Sequence, residues 1–123
     1  MDIVKLKDFD RIYAVDVFRK EYEQLFGKSR NEYIQCLKKL RTNLKILDKE
    51  MKNSLQYQQF EKLSGSDLYS IRHVGEKNPR VIFAFVSDNY VLLLSSCKEK
   101  DKRDYMNALE TANRRLLQME GRK

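Results

Sequence analysis

Three apolar runs of strand type follow one another in the second half of the chain, and one amphipathic helix closes it. The runs are Leu68-Tyr69-Ser70-Ile71-Arg72-His73, Arg80-Val81-Ile82-Phe83-Ala84-Phe85-Val86 and Tyr90-Val91-Leu92-Leu93-Leu94, the last followed by Lys98-Glu99-Lys100. Each run is rich in β-branched and aromatic residues and is bounded by turn formers, which is the pattern of a strand. Short connections between them predict two antiparallel hairpins. The first turns through Val74-Gly75-Glu76-Lys77-Asn78-Pro79, the second through Asp88-Asn89, residue types that tolerate a tight turn.

A two-residue turn at Asp88-Asn89 would set Ser87 against Tyr90 and, counting back, Arg80 against Cys97 beside Lys98. The first hairpin then brings Arg72 and His73 near Arg80 and Val81. Its longer turn leaves the register open by about one residue, so the face that each side chain takes stays open too. Arg72, Arg80 and Lys98 are thereby expected at one end of a small sheet. Clustered cations repel one another until an anion arrives, and Arg can grip a phosphate in a bidentate fork while Lys supplies a movable charge. The cluster therefore suits a phosphate ester, RNA first among them. The alternative is a set of ion pairs with Glu76, Glu99 or Asp101.

The first half reads as one long helix preceded by an ambiguous segment. Arg11 to Arg19 fits either a strand or a helix stripe through Phe9, Tyr13 and Val17, and its β-branched and aromatic content favours a strand. Gly27 breaks the pattern. Ser29 and Glu32 form a capping-box spacing ahead of a long helix from about Arg30, whose stripe is Tyr33, Leu37, Leu40, Leu44, Leu47 and Met51. Lys38, Lys39, Arg41, Lys45 and Lys49 fill the rest of that helix. They read as its solvated back rather than an RNA-facing surface. Residues 1–10 read as a polar arm, and Gln56 to Ser66 as a polar connector. Asp101 can cap the last helix, with Tyr105, Ala108, Leu109, Ala112, Leu116 and Met119 as its stripe. The whole predicts one α+β domain over residues 1–123: N-terminal helices, a small antiparallel sheet and a C-terminal helix.

The chain has 123 residues, 41% hydrophobic and 35% charged, with a formal net charge of +7. That suffices for one core and favours a polyanionic or acidic partner. Two cysteines, Cys36 and Cys97, without metal-type spacing or an apolar leader suggest a reducing cytoplasm. No apolar run approaches the ~20 residues that span a bilayer, so no membrane partner is expected. His73 is the one histidine, which excludes a two-histidine ribonuclease arrangement and makes a zinc site improbable. It can still serve as a lone acid or base, or as a hydrogen-bonded residue at a strand end. No glycine-rich phosphate loop is present, and no metal or cofactor is expected.

The segment Leu68–His73, Asn78–Phe83, Val91–Leu94 and Lys98-Glu99-Lys100, with Tyr105 in the helix, resembles the RelE/ParE superfamily over roughly Phe60 to Leu117. It is nearest to the HigB-like, often phage-associated branch. The resemblance implies a RelE-like fold and the toxin of a type II toxin–antitoxin pair. Such a toxin is a metal-independent endoribonuclease, or mRNA interferase, that cuts mRNA on the ribosome and so inhibits translation. The ribose 2′-hydroxyl attacks the adjacent phosphate and leaves a 2′,3′-cyclic phosphate. Carried over, Arg72, Arg80 and Lys98 or Lys100 match the family's basic residues. Tyr105 matches a tyrosine that stacks on a base or assists the leaving group. Lys77 joins Arg72, Arg80, Lys98 and Lys100 as an RNA contact, and His73 is a further candidate for catalysis. Two departures stand out: Ser70 replaces a second basic residue, and Glu99 falls at or beside the usual basic position. The implied partners are mRNA on the ribosome and a cognate antitoxin, commonly a helix-turn-helix protein. The alternatives are a ParE-like gyrase poison that does no chemistry, and an RNA- or ribosome-binding module that makes no cut.

Overall fold

A computed structural model describes residues 1–72, 79–98 and 102–120. The strands are β1 (Ile3–Lys5), β2 (Ile12–Val15), β3 (Phe60–Lys62), β4 (Tyr69–Arg72), β5 (Pro79–Val86) and β6 (Tyr90–Lys98). The helices are α1 (Phe18–Gln24), α2 (Arg30–Glu50), which runs into a 3₁₀ turn at Met51–Gln56, and α3 (Lys102–Glu120). The strands form one sheet in the order β1-β2-β6-β5-β4-β3, and the fold is α+β.

The sheet is antiparallel except for one pair. β2 runs parallel to β6, from Ile12↔Val91 to Ala14↔Leu93, because α1 and α2 lie between β2 and the hairpins. Two expectations change here. Residues 1–10 are not a free arm: Ile3–Lys5 pairs with β2 as an edge strand. The connector from Gln56 to Ser66 contains β3, which pairs with β4. Both strands are three residues long and mostly exposed, so they carry no apolar run of their own.

β5 and β6 hold the centre. Val81–Ala84 and Val91–Leu94 are at most 1% exposed, as strands covered on both faces must be. The connecting loop spans three residues, since Val86 pairs with Tyr90, and Ser87 and Asp88 both take left-handed backbone. Further down, a bulge leaves Leu94 without an opposite residue and restores the expected Arg80↔Cys97 pairing.

Side chains alternate across the sheet. Val81, Phe83, Leu93 and Lys98 face α1 and α2, whereas Arg80, Ile82, Ser95 and Cys97 face α3. α2 buries Tyr33, Cys36, Leu40, Asn43, Leu44 and Leu47, and exposes Lys38, Lys39, Arg41, Lys45 and Lys49 as its solvated back. It starts at Arg30 as expected, yet the Ser29 hydroxyl makes no cap hydrogen bond. Its Glu32 instead holds Lys98. The strand at Ile12–Val15 gives way to α1, whose Phe18 and Tyr22, with Phe26 just beyond, form a buried i, i+4, i+8 stripe. Asp48 on α2 fixes the approach to β2 by accepting hydrogen bonds from the Asp10 and Arg11 amides at 3.1 and 2.6 Å. The expected Asp101 cap lies outside the described residues.

Candidate functional site

The lower ends of β4, β5 and β6 bring the expected cations side by side in the backbone. Arg72 stands directly opposite Arg80, Arg80 opposite Cys97, and Pro79 opposite Lys98. Cross-strand partners share a face, so Arg72 and Arg80 project toward the α3 side together. Their environments differ. Arg72 is exposed, and its amide is anchored to the Gln59 carbonyl at 2.8 Å. Arg80 is 9% exposed, and its guanidinium carbon lies 4.6 Å from the ring centroid of Tyr105 in the first turns of α3. This cation–π contact orients the arginine and puts an aromatic face beside the pair. Two like charges directly opposite in a sheet repel each other.

Lys98 does not join them. It follows Cys97 in a strand and so points to the other face. There its Nζ sits 2.8 Å from Glu32 Oε1 of α2 and 5.1 Å from the Phe26 ring centroid. The triad expected from the sequence is therefore a pair on one face and, on the other, a lysine that contacts α2 through Glu32. Ser70, two residues before Arg72, is fully buried on the α3 face, and its hydroxyl has no hydrogen-bond partner. A basic residue in its place would have to be buried. His73, Lys77 and Lys100, together with Glu76 and Glu99, lie outside the described residues.

Other groups near this end were not visible in the sequence. Ser95 donates to the Ala108 carbonyl at 2.8 Å and fastens α3 to the sheet. Arg115 holds Glu21 of α1 through both guanidinium nitrogens, at 2.8 and 2.7 Å, and donates to the Leu94 carbonyl at 2.8 Å. The Glu21 carboxylate makes Arg115 still harder to deprotonate. Their spacing of 94 residues leaves no local pattern to find. The thiol of Cys36 is pushed up, chiefly by burial, which makes it a poor nucleophile. Among the described residues no group of three or more His, Cys, Asp or Glu is placed to hold a metal ion. No described helix is long and apolar enough to cross a membrane.

The chain matches no family model and no curated protein.

Proposed function

We propose that this protein is the toxin of a type II toxin–antitoxin pair in the RelE/ParE superfamily, nearest the HigB-like branch, and that it cleaves mRNA on the ribosome. The observation that carries this reading is the Arg72–Arg80 pair, set opposite each other on one face with the second arginine over the Tyr105 ring. The order of elements supports it: two strands, two helices, four antiparallel strands and a closing helix.

In the reaction, the 2′-oxygen of the ribose forms a bond to the adjacent phosphorus and the bond from phosphorus to the 5′-oxygen breaks. The 2′-hydroxyl loses its proton to a base, and the departing 5′-oxygen takes one up. Arg72 and Arg80 would neutralise the charge that builds on the phosphate oxygens. Tyr105 would stack on a base or protonate the leaving oxygen. With Lys98 engaged by Glu32, the proton-transfer role falls to Lys100 or His73. A ribosome that aligns the message supplies much of the rate, so few strong acid–base groups are needed. The antitoxin, a helix-turn-helix protein in this reading, would cover the basic end of the sheet.

A module that binds RNA or the ribosome without cutting is the second reading. It is favoured by the near-complete covering of Arg80 and by the departure of Lys98 to the other face. The purified protein, incubated with a message either naked or on translating ribosomes, separates the two. Cleavage only on ribosomes, leaving 2′,3′-cyclic phosphate ends, is expected. An intact message in both samples would refute the nuclease.

A further inference from the structure

β2 covers only part of its neighbour. Its pairing with β6 ends at Ala14↔Leu93, yet β6 continues to Lys98. No described strand lies on that side of β6 beyond Leu93. Arg115 takes the first position by donating to the Leu94 carbonyl at 2.8 Å. Main-chain direction alternates along a strand, so the N–H and C=O of Ser96 and Lys98 turn the same way as that carbonyl. The opposite strand agrees: Lys98 faces Pro79, which has no N–H to donate, as suits a pair whose main-chain groups point away from each other.

A cleft of about 370 Å³ runs along this edge. Its floor is Ser95–Lys98. Its walls are Glu21 and Leu25 of the α1 segment and Asn107, Ala108 and Thr111 of α3. The result is a slot, open along the sheet plane, lined by main-chain groups at the two-residue repeat of a strand, about 6.6 Å. Exposed strand edges of this kind accept an added strand.

We propose that the slot takes an extended segment of a partner polypeptide, which joins the sheet in line with β2 and hydrogen-bonds to the main chain of Ser96 and Lys98. Specificity by main-chain pairing tolerates many sequences. Ala108 and Thr111 close one wall and restrict the segment to small side chains where it passes them. The slot adjoins the Arg72–Arg80 pair, since its floor includes Cys97 opposite Arg80, but it opens on the other edge of β6, and its occupancy does not depend on the nuclease reading.

Amide exchange on the full ¹⁵N-labelled chain tests this, with acetyl-Ala-Val-Ser-Val-Ala-amide as probe at millimolar concentration. In the free chain the Ser96 and Lys98 amides are expected to exchange at least about 100-fold faster than those of Ser95 and Cys97. With the peptide they should shift and slow by about tenfold or more, whereas a peptide N-methylated at every residue, which has no N–H on either edge, should do nothing. Thr111→Phe, checked for an unchanged fold by its spectrum, should fill the slot and abolish the shifts. Four results would each overturn the proposal: Ser96 and Lys98 protected in the free chain, no shift at any peptide concentration, shifts centred elsewhere, or equal binding of the N-methylated peptide.

Discussion

Replacing Lys98 by Met separates the two roles a lysine at this position could have. The substitution keeps most of the apolar stem and removes the charge. Two interactions disappear. The ion pair with Glu32 is short, 2.8 Å, but Glu32 is 41% exposed and rehydrates, so its loss costs roughly 0.2–1 kcal/mol. The contact with Phe26, at 5.1 Å from a lysine only 17% exposed, adds roughly 0.5–1 kcal/mol. Together they predict destabilisation of about 0.7–2 kcal/mol, a fall in melting temperature of roughly 2–8 °C. Urea unfolding reads this as a lower midpoint with an unchanged slope. A double-mutant cycle with Glu32→Gln should return a coupling of about half the total. Cleavage of translated message, at a temperature where the variant is folded, should stay within about threefold of the parent. A variant as stable as the parent that loses cleavage by about 100-fold would refute the reasoning, since Lys98 would then act on the substrate.

Arg72→Ala should leave stability within about 0.5 kcal/mol, because the side chain is exposed, and should lower cleavage by about 100-fold in the same assay. Arg80→Lys keeps a charge but loses the guanidinium that lies over the Tyr105 ring, so urea unfolding should show a loss of roughly 1 kcal/mol with cleavage down about tenfold or more. Arg115→Met removes the paired hydrogen bonds to Glu21 and the one to Leu94. With Glu21 itself 37% exposed, the expected destabilisation is about 2–3 kcal/mol by urea titration. Tyr22→Phe deletes a buried hydroxyl that has no hydrogen-bond partner, and should be neutral or stabilising by up to about 1 kcal/mol. Burial raises the Tyr22 phenol above its ordinary value near 10, so the folded chain keeps a proton that the unfolded chain releases. Stability should therefore fall as pH rises past about 10, more in the parent than in Tyr22→Phe, as urea midpoints across that range would record.

The centre of the fold was legible because burial on both faces demands continuous apolar sequence, and β5 and β6 supply it. β1 and β3 escaped notice for the converse reason: three mostly exposed residues each, held by their neighbours' hydrogen bonds rather than by their own pattern. The Arg80↔Cys97 register came out as expected through two offsetting departures. The loop has three residues instead of two, and the Leu94 bulge returns the extra step. Lys98 is more instructive. Once Arg80 faces Cys97, the next residue must take the opposite face, so the dispersal of the triad was implicit in the expected register. Helix α1 was hidden because the Phe9, Tyr13, Val17 spacing competes with the Phe18, Tyr22, Phe26 stripe that the structure buries. Contacts such as Arg115 to Glu21 join residues 94 apart and leave no trace in any local window.

Mapping 5′ ends of a translated message in cells expressing the protein, beside the same message lacking its start codon, tests the central proposal most directly. Cuts confined to the translated message, and lost in Arg72→Ala while the variant remains folded, are the predicted result. Growth arrest with both messages intact would contradict it and turn attention to a gyrase-type poison.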